Sequence, residues 1–136
     1  MKFRSDVSGH VTGVRFYKAG GNSGTHVGSL WSSSGTLLAQ ATFNGETPSG
    51  WQQATFSSPV AISANTTYVV SYHAPVGQYA DDQNYFLTST DRAPLHAPDS
   101  ASSGGNGVYV YGSGPTLPNN TYNASNYWVD VVFTTP

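Results

Sequence analysis

The chain has 136 residues, enough for one domain with one buried core and no need of a metal or disulfide staple. Only 9% of residues are charged, the net charge is −2 and there are no cysteines, which argues against nucleic-acid and anionic-membrane partners and excludes thiolate metal sites, cysteine nucleophiles and disulfides. No apolar run approaches the roughly 18 residues of a membrane span, and a surface built from Ser, Thr, Asn, Gln and Gly suits an extracellular β-protein.

Helical periodicity is absent, and strand-like alternation recurs between turn signals. His10–Lys18 reads as a strand with Val14 and Phe16 on one face and Arg15 and Tyr17 on the other. A glycine-rich turn at 20–24 leads to a strand over His26–Trp31, a turn over Ser32–Thr36 and a strand over Leu37–Phe43. Asn44-Gly45 is the strongest short hairpin signal. Strands follow at Trp51–Phe56, in a short apolar piece Pro59–Ile62, and at Thr66–His73. Residues 74–118 are less regular, with strand candidates at Asn84–Leu87 and Val108–Tyr111, and the long polar segment Ala97–Asn106 reads as a functional or a floppy loop. Asn126–Thr134 is the final strand. This pattern predicts an all-β fold, an antiparallel two-sheet β-sandwich of jelly-roll type, in a single domain over residues 1–136.

Several motifs together resemble one family. They are Phe3-Arg4-Ser5-Asp6, Gly13-Val14-Arg15-Phe16-Tyr17-Lys18 and Gly24-Thr25-His26-Val27-Gly28-Ser29-Leu30-Trp31 in the first third, and Gly50-Trp51-Gln52 with Pro59-Val60-Ala61-Ile62 in the middle. Thr67-Tyr68-Val69-Val70-Ser71-Tyr72-His73-Ala74-Pro75 and Asn126-Tyr127-Trp128-Val129-Asp130-Val131-Val132-Phe133 complete the set. In these the chain resembles the bacterial extracellular family DUF4082. The resemblance implies a β-sandwich module that stands beside other domains in large secreted bacterial proteins, some of them acting on polysaccharides. It implies no reaction. The chain is therefore expected to be a secreted, monomeric module of a longer protein.

Catalytic sets are not legible. Glycoside hydrolysis needs two carboxylates about the scissile bond, yet the only glutamate is Glu46, and Asp81 and Asp82 are neighbours in a loop. No Gly-x-Ser-x-Gly elbow occurs, and no spacing singles out a Ser-His-Asp triad. Histidines 10, 26, 73 and 96 lack zinc-site spacing. Asp81 and Asp82, with loop carbonyls, are the one candidate for a structural calcium, weighed against two aspartates that merely solvate a loop. Asn65, Asn119 and Asn123 match the glycosylation pattern, which an Asn- and Thr-rich composition accounts for. The chain is read as a non-enzyme that requires no cofactor.

Aromatics are the stronger lead, because ligand sites pair apolar rings with a few converging polar groups and the chain carries nine Tyr, three Trp and six Phe. In the last strand, Tyr127, Val129, Val131 and Phe133 mark the core face, so Trp128 and Asp130 point outward. In Thr66–His73, Tyr68, Val70 and Tyr72 point inward and Val69, Ser71 and His73 outward. If these outer faces belong to one sheet, Arg15, Tyr17, Ser71, His73, Trp128 and Asp130 form a polar–aromatic surface with an Arg15–Asp130 pair. The plainer reading is a cross-strand ion pair of about 0.2–1 kcal/mol. Tyr79, Tyr85, Tyr109, Tyr111 and Tyr122 form a second candidate group in the irregular region, either for recognition or as cover for the core. Trp31 and Trp51 read as core or rim packing. The function expected is a non-catalytic module that binds a polysaccharide or glycan with micromolar or weaker affinity, about −8 kcal/mol. The alternative is a structural or adhesive spacer of a multidomain surface protein.

Overall fold

The computed structural model describes residues 1–136. Eleven strands are formed: β1 (Lys2–Ser5), β2 (Gly9–Lys18), β3 (Val27–Ser32), β4 (Leu37–Thr42), β5 (Gly50–Ile62), β6 (Tyr68–His73), β7 (Thr90–Arg92), β8 (Leu95–Ala97), β9 (Val108–Tyr109), β10 (Asn120–Thr121) and β11 (Val129–Thr134). They build an antiparallel sandwich with a six-stranded sheet, β4-β3-β6-β1-β8-β7, and a three-stranded sheet, β11-β2-β5, with β9 and β10 as a separate ribbon. The chain crosses between the two large layers at β1–β2, β2–β3, β4–β5 and β5–β6, the winding expected of a jelly roll. No helix is long and apolar enough to cross a membrane.

Alternation fixes which side of each strand is buried. Val11, Val14 and Phe16 of β2, Ala54 and Phe56 of β5, and Val129 and Val131 of β11 face Leu30, Tyr68 and Val70 of the larger sheet, with Phe3 and Phe43 completing the core. Phe16 sits at its centre, stacked on Tyr72 at 4.4 Å and edge-on to Phe43 at 4.8 Å. The long β5 absorbs both the Trp51–Phe56 and Pro59–Ile62 segments, with a register shift against β2 between Val11 and Gly13.

Residues after β6 depart from the predicted pattern. Asn84–Leu87 is not a strand: Asn84 takes a left-handed conformation (φ 64°) and Tyr85–Leu87 form a 3₁₀ turn that buries Phe86. The segment Ala97–Asn106, read as a functional or a floppy loop, carries local structure of its own. Its Asp99 caps a one-turn helix, α1 (Ser100–Ser103), and Asn106, fully buried, bonds the backbone of Lys2 in both directions, donates to the Pro98 carbonyl and accepts from Gly107. A second, small hydrophobic cluster of Trp31, Val69 and Val108, with Leu117 against it, lies outside the main core. The outward side of β6 is thus sealed at Val69, where the alternation predicts exposure.

Candidate functional site

Arg15 and Asp130 are direct cross-strand partners in β2 and β11, 3.7 Å apart and each about two-fifths exposed. The guanidinium also lies 4.9 Å from the centre of the Trp51 ring. Trp51 is the register partner of Tyr17 and meets it edge-to-face at 5.7 Å. These residues share the outer face of the three-stranded sheet, as predicted for Arg15, Tyr17 and Asp130. Trp51 corrects the sequence expectation: it is 46% exposed, packs into no core, and joins this face, whereas Trp31 is buried at 7% exposure as expected. The parity of β5 carries the missing signal, since Phe56 is inward and Trp51 lies an odd number of residues away. A buried glutamine at 52, bonded to Thr47 and Gly50, disguises that parity.

Trp128 joins the same face from the step just before β11. Its φ of 56° is a left-handed conformation that a bulky residue adopts only when held. The holders are the Asn126 side chain, which accepts from its backbone N–H at 2.7 Å, and Tyr17, whose N–H donates to its carbonyl at 2.8 Å. The indole N–H donates to Asp82 Oδ2 at 2.6 Å, and Tyr85 meets the ring edge-on at 5.3 Å. Asp82 in turn pairs through its backbone with Asn126. Tyr17, Trp51 and Trp128 therefore line one open cleft of about 360 Å³, closed on the far side by Ala80, Asp81 and Asp82. As a calcium site this loop would have to share Asp82 with the indole, and Asp81 and Asp82 are not joined there by a third His, Cys, Asp or Glu side chain in a group that could hold a metal ion.

His73 and Ser71 do not reach this face. They belong to β6, which lies in the other sheet, so the hypothesis of a single joined surface fails for them. Ser71 accepts from the Trp31 indole at 2.9 Å. His73 instead lines a deeper pocket of about 420 Å³ with Tyr79, Tyr109, Tyr111, Tyr122 and Tyr127. Four of the predicted loop tyrosines, Tyr79, Tyr109, Tyr111 and Tyr122, are thereby brought together, while Tyr85 stays with Trp128 on the cleft side. Tyr127 and Trp128, consecutive in the chain, face the pocket and the cleft respectively; Tyr79 and the Ala80–Asp82 segment divide in the same way.

A buried polar chain lies apart from both. His26, with no exposed surface, places one ring nitrogen 3.0 Å from Glu46 Oε2 and the other 2.6 Å from Asn22 Oδ1, and Lys18 reaches Glu46 at 3.1 Å. Burial works against the charge of Glu46, but the hydrogen bonds from His26 and Lys18 together outweigh it and hold its pKa below the ordinary value. No serine or threonine is hydrogen-bonded to His26, so this chain fastens the β2–β3 connection to the segment after β4.

No curated protein and no solved structure matches the chain. The family described as "Domain of unknown function (DUF4082)" matches residues 1–129, and the chain belongs to that family.

Proposed function

We propose that this domain is a non-catalytic carbohydrate-binding module of a secreted protein, with the cleft on the three-stranded sheet as its glycan platform. The observation that supports the reading is the convergence of the Tyr17, Trp51 and Trp128 rings on one open groove beside the Asp81–Asp82 loop. Sugar rings present C–H faces that lie on aromatic rings, and their hydroxyls bond to carboxylates and guanidinium groups at the margin, here Asp81, Arg15 and Asp130. The cleft is open, which suits the middle of a polymer chain. Its aromatic rings are fixed in advance by edge-to-face contacts and by the Asp82–indole bond, so little side-chain freedom is lost on binding.

The test is affinity electrophoresis and pull-down against a panel of soluble and insoluble polysaccharides. Trp51→Ala and Tyr17→Ala are expected to weaken retention tenfold or more, about 1.4 kcal/mol each, while the fold is kept and the melting temperature falls by only a few degrees, because both rings lie outside the core. Absence of retention by every polymer, or retention indifferent to both substitutions, would sink the reading.

A further inference from the structure

The tyrosine pocket is built from different residues than the cleft and has a different chemistry. Tyr72, Tyr79, Tyr109, Tyr111, Tyr122 and Tyr127 supply its rings, and none of its lining side chains is an aspartate, glutamate, lysine or arginine. Burial raises the Tyr79 and Tyr127 phenols, with neighbouring tyrosines and Asp81 adding to it, which keeps both hydroxyls protonated.

Four of the rings meet one another edge-to-face. Tyr79 meets Tyr127 at 5.4 Å and 80°, Tyr127 meets Tyr109 at 6.1 Å and 69°, and Tyr109 meets Tyr111 at 5.6 Å and 68°. Such edge-to-face chains hold each ring's orientation. At the floor, Tyr72 lies flat against Phe16, and its buried hydroxyl has no hydrogen-bond partner. Buried polar groups are nearly always paired, and an unpaired one costs about 1–3 kcal/mol. A phenol left unpaired at the wall of a cavity is a place for a ligand's hydroxyl.

These features narrow the ligand. An anion would find no lysine or arginine, only the His73 ring already 3.3 Å from the Gly112 carbonyl, and a cation no carboxylate in the wall. A hydrocarbon would leave the Tyr72 hydroxyl unpaired. An uncharged, hydroxylated ring satisfies both the aromatic walls and the buried phenol. The volume of about 420 Å³ falls at the small end of ligand pockets, about 300–1,000 Å³, which admits one or two sugar rings. We infer that the tyrosine pocket is a second binding site, separate from the cleft, that takes the uncharged terminal unit of a saccharide. The ligand class rests on the carbohydrate reading; the site itself uses no side chain of the cleft.

The experiment uses the full chain and neutral probes: glucose, galactose, mannose, N-acetylglucosamine, cellobiose, maltose and lactose, with glucuronic acid as the charged control. Saturation-transfer NMR and calorimetry are run at low and high salt. At least one neutral sugar is expected to bind with an affinity unchanged by salt, and glucuronic acid is expected to bind more weakly than glucose. Tyr72→Phe removes only the unpaired hydroxyl; it is expected to leave the melting temperature level or raised while weakening the sugar tenfold. Tyr109→Ala is expected to abolish binding, and should that variant not fold, Tyr72→Phe decides. Trp51→Ala is expected to leave small-sugar binding intact. The inference is overturned if no neutral sugar binds, if Tyr72→Phe binds like the parent, if salt weakens binding strongly, or if Trp51→Ala and not Tyr72→Phe removes it. Small-sugar binding without polymer retention would remove the platform and keep the pocket.

Discussion

Among single residues, backbone conformation fixes several close approaches, Trp128 beside the cleft among them. Gly107 follows the Asn106 hub with φ 76°, and a Cβ there would lie 1.7 Å from the Ser125 carbonyl oxygen. Gly104, at the end of α1, has a similar φ of 73° but open space around it. The two separate steric exclusion from conformational cost. Gly104→Ala is expected to destabilise by about 1–2 kcal/mol, the cost of the left-handed region alone, and Gly107→Ala by distinctly more, because the backbone of Ser125 has to move. Urea unfolding of the two variants measures the difference, and equal losses would mean that the approach to Ser125 relaxes freely. What the sequence reveals at this scale is uneven. Alternation places Arg15, Tyr17 and Asp130 correctly, since Val14, Phe16, Val129 and Val131 leave their strands only one buried side. Trp51 escapes it because a glutamine occupies an inward position beside it.

Among elements, the short strands β7 and β8 depend on a polar cluster more than on burial. His96 of β8 lies 2.6 Å from Asp6, in the β1–β2 connection, and 2.6 Å from Asp91 of β7. Hydrogen bonds to Asp6 and then Asp91 raise the His96 pKa, and the bond to His96 leads the lowering of Asp6. In Asp91 the largest contribution is the Ser89 hydroxyl, followed by His96. The raised histidine gives stability that is full below the usual value of 6.5 and lost as pH rises through its folded pKa. The depressed carboxylates give stability that is full above their usual 3.8 and lost as pH falls through their folded values. Glu46 adds to the acid limb below its usual 4.5. Urea midpoints are therefore expected to peak between these limits and to decline on the alkaline side above 6.5, with a small amplitude because the cluster faces solvent. His96→Gln is expected to flatten that alkaline decline and leave the Glu46 part of the acid limb. An unaltered alkaline decline would assign it to another group. Element pairing is also where sequence reading stops. Alternation assigns a side to each strand but not a sheet, so His73 and Ser71 are misplaced although their parity is right. Nor does it foresee that residues 106–118 fold over the outward side of β6, because Val108 and Leu117 sit in a segment rich in glycine and proline, with no periodicity to show a buried face.

At the scale of the whole molecule, the smaller sheet keeps a free outer surface, whereas the larger one is covered around β3 and β6 by later residues of the chain. That covering segment, returning through β10 to β11, walls the tyrosine pocket on its way. The sandwich class and its antiparallel strands are legible from the spacing of apolar alternation and turns. The division into six strands and three is not, since it depends on β7 and β8, which at three residues each are too short to carry an alternation to read. Tyr127 and Trp128 mark the seam between the two chambers. Their opposite aim depends on counting: inserting or deleting one residue between Asn126 and Val129 would turn a tyrosine toward the groove and leave the other ring without its Asp82 anchor. Among natural relatives, segment length at this seam is thus expected to change ligand preference on both sides together, whereas swapping one aromatic for another should retune only one. Grafting a relative's longer seam and profiling both ligand types would show whether the two preferences move as a pair.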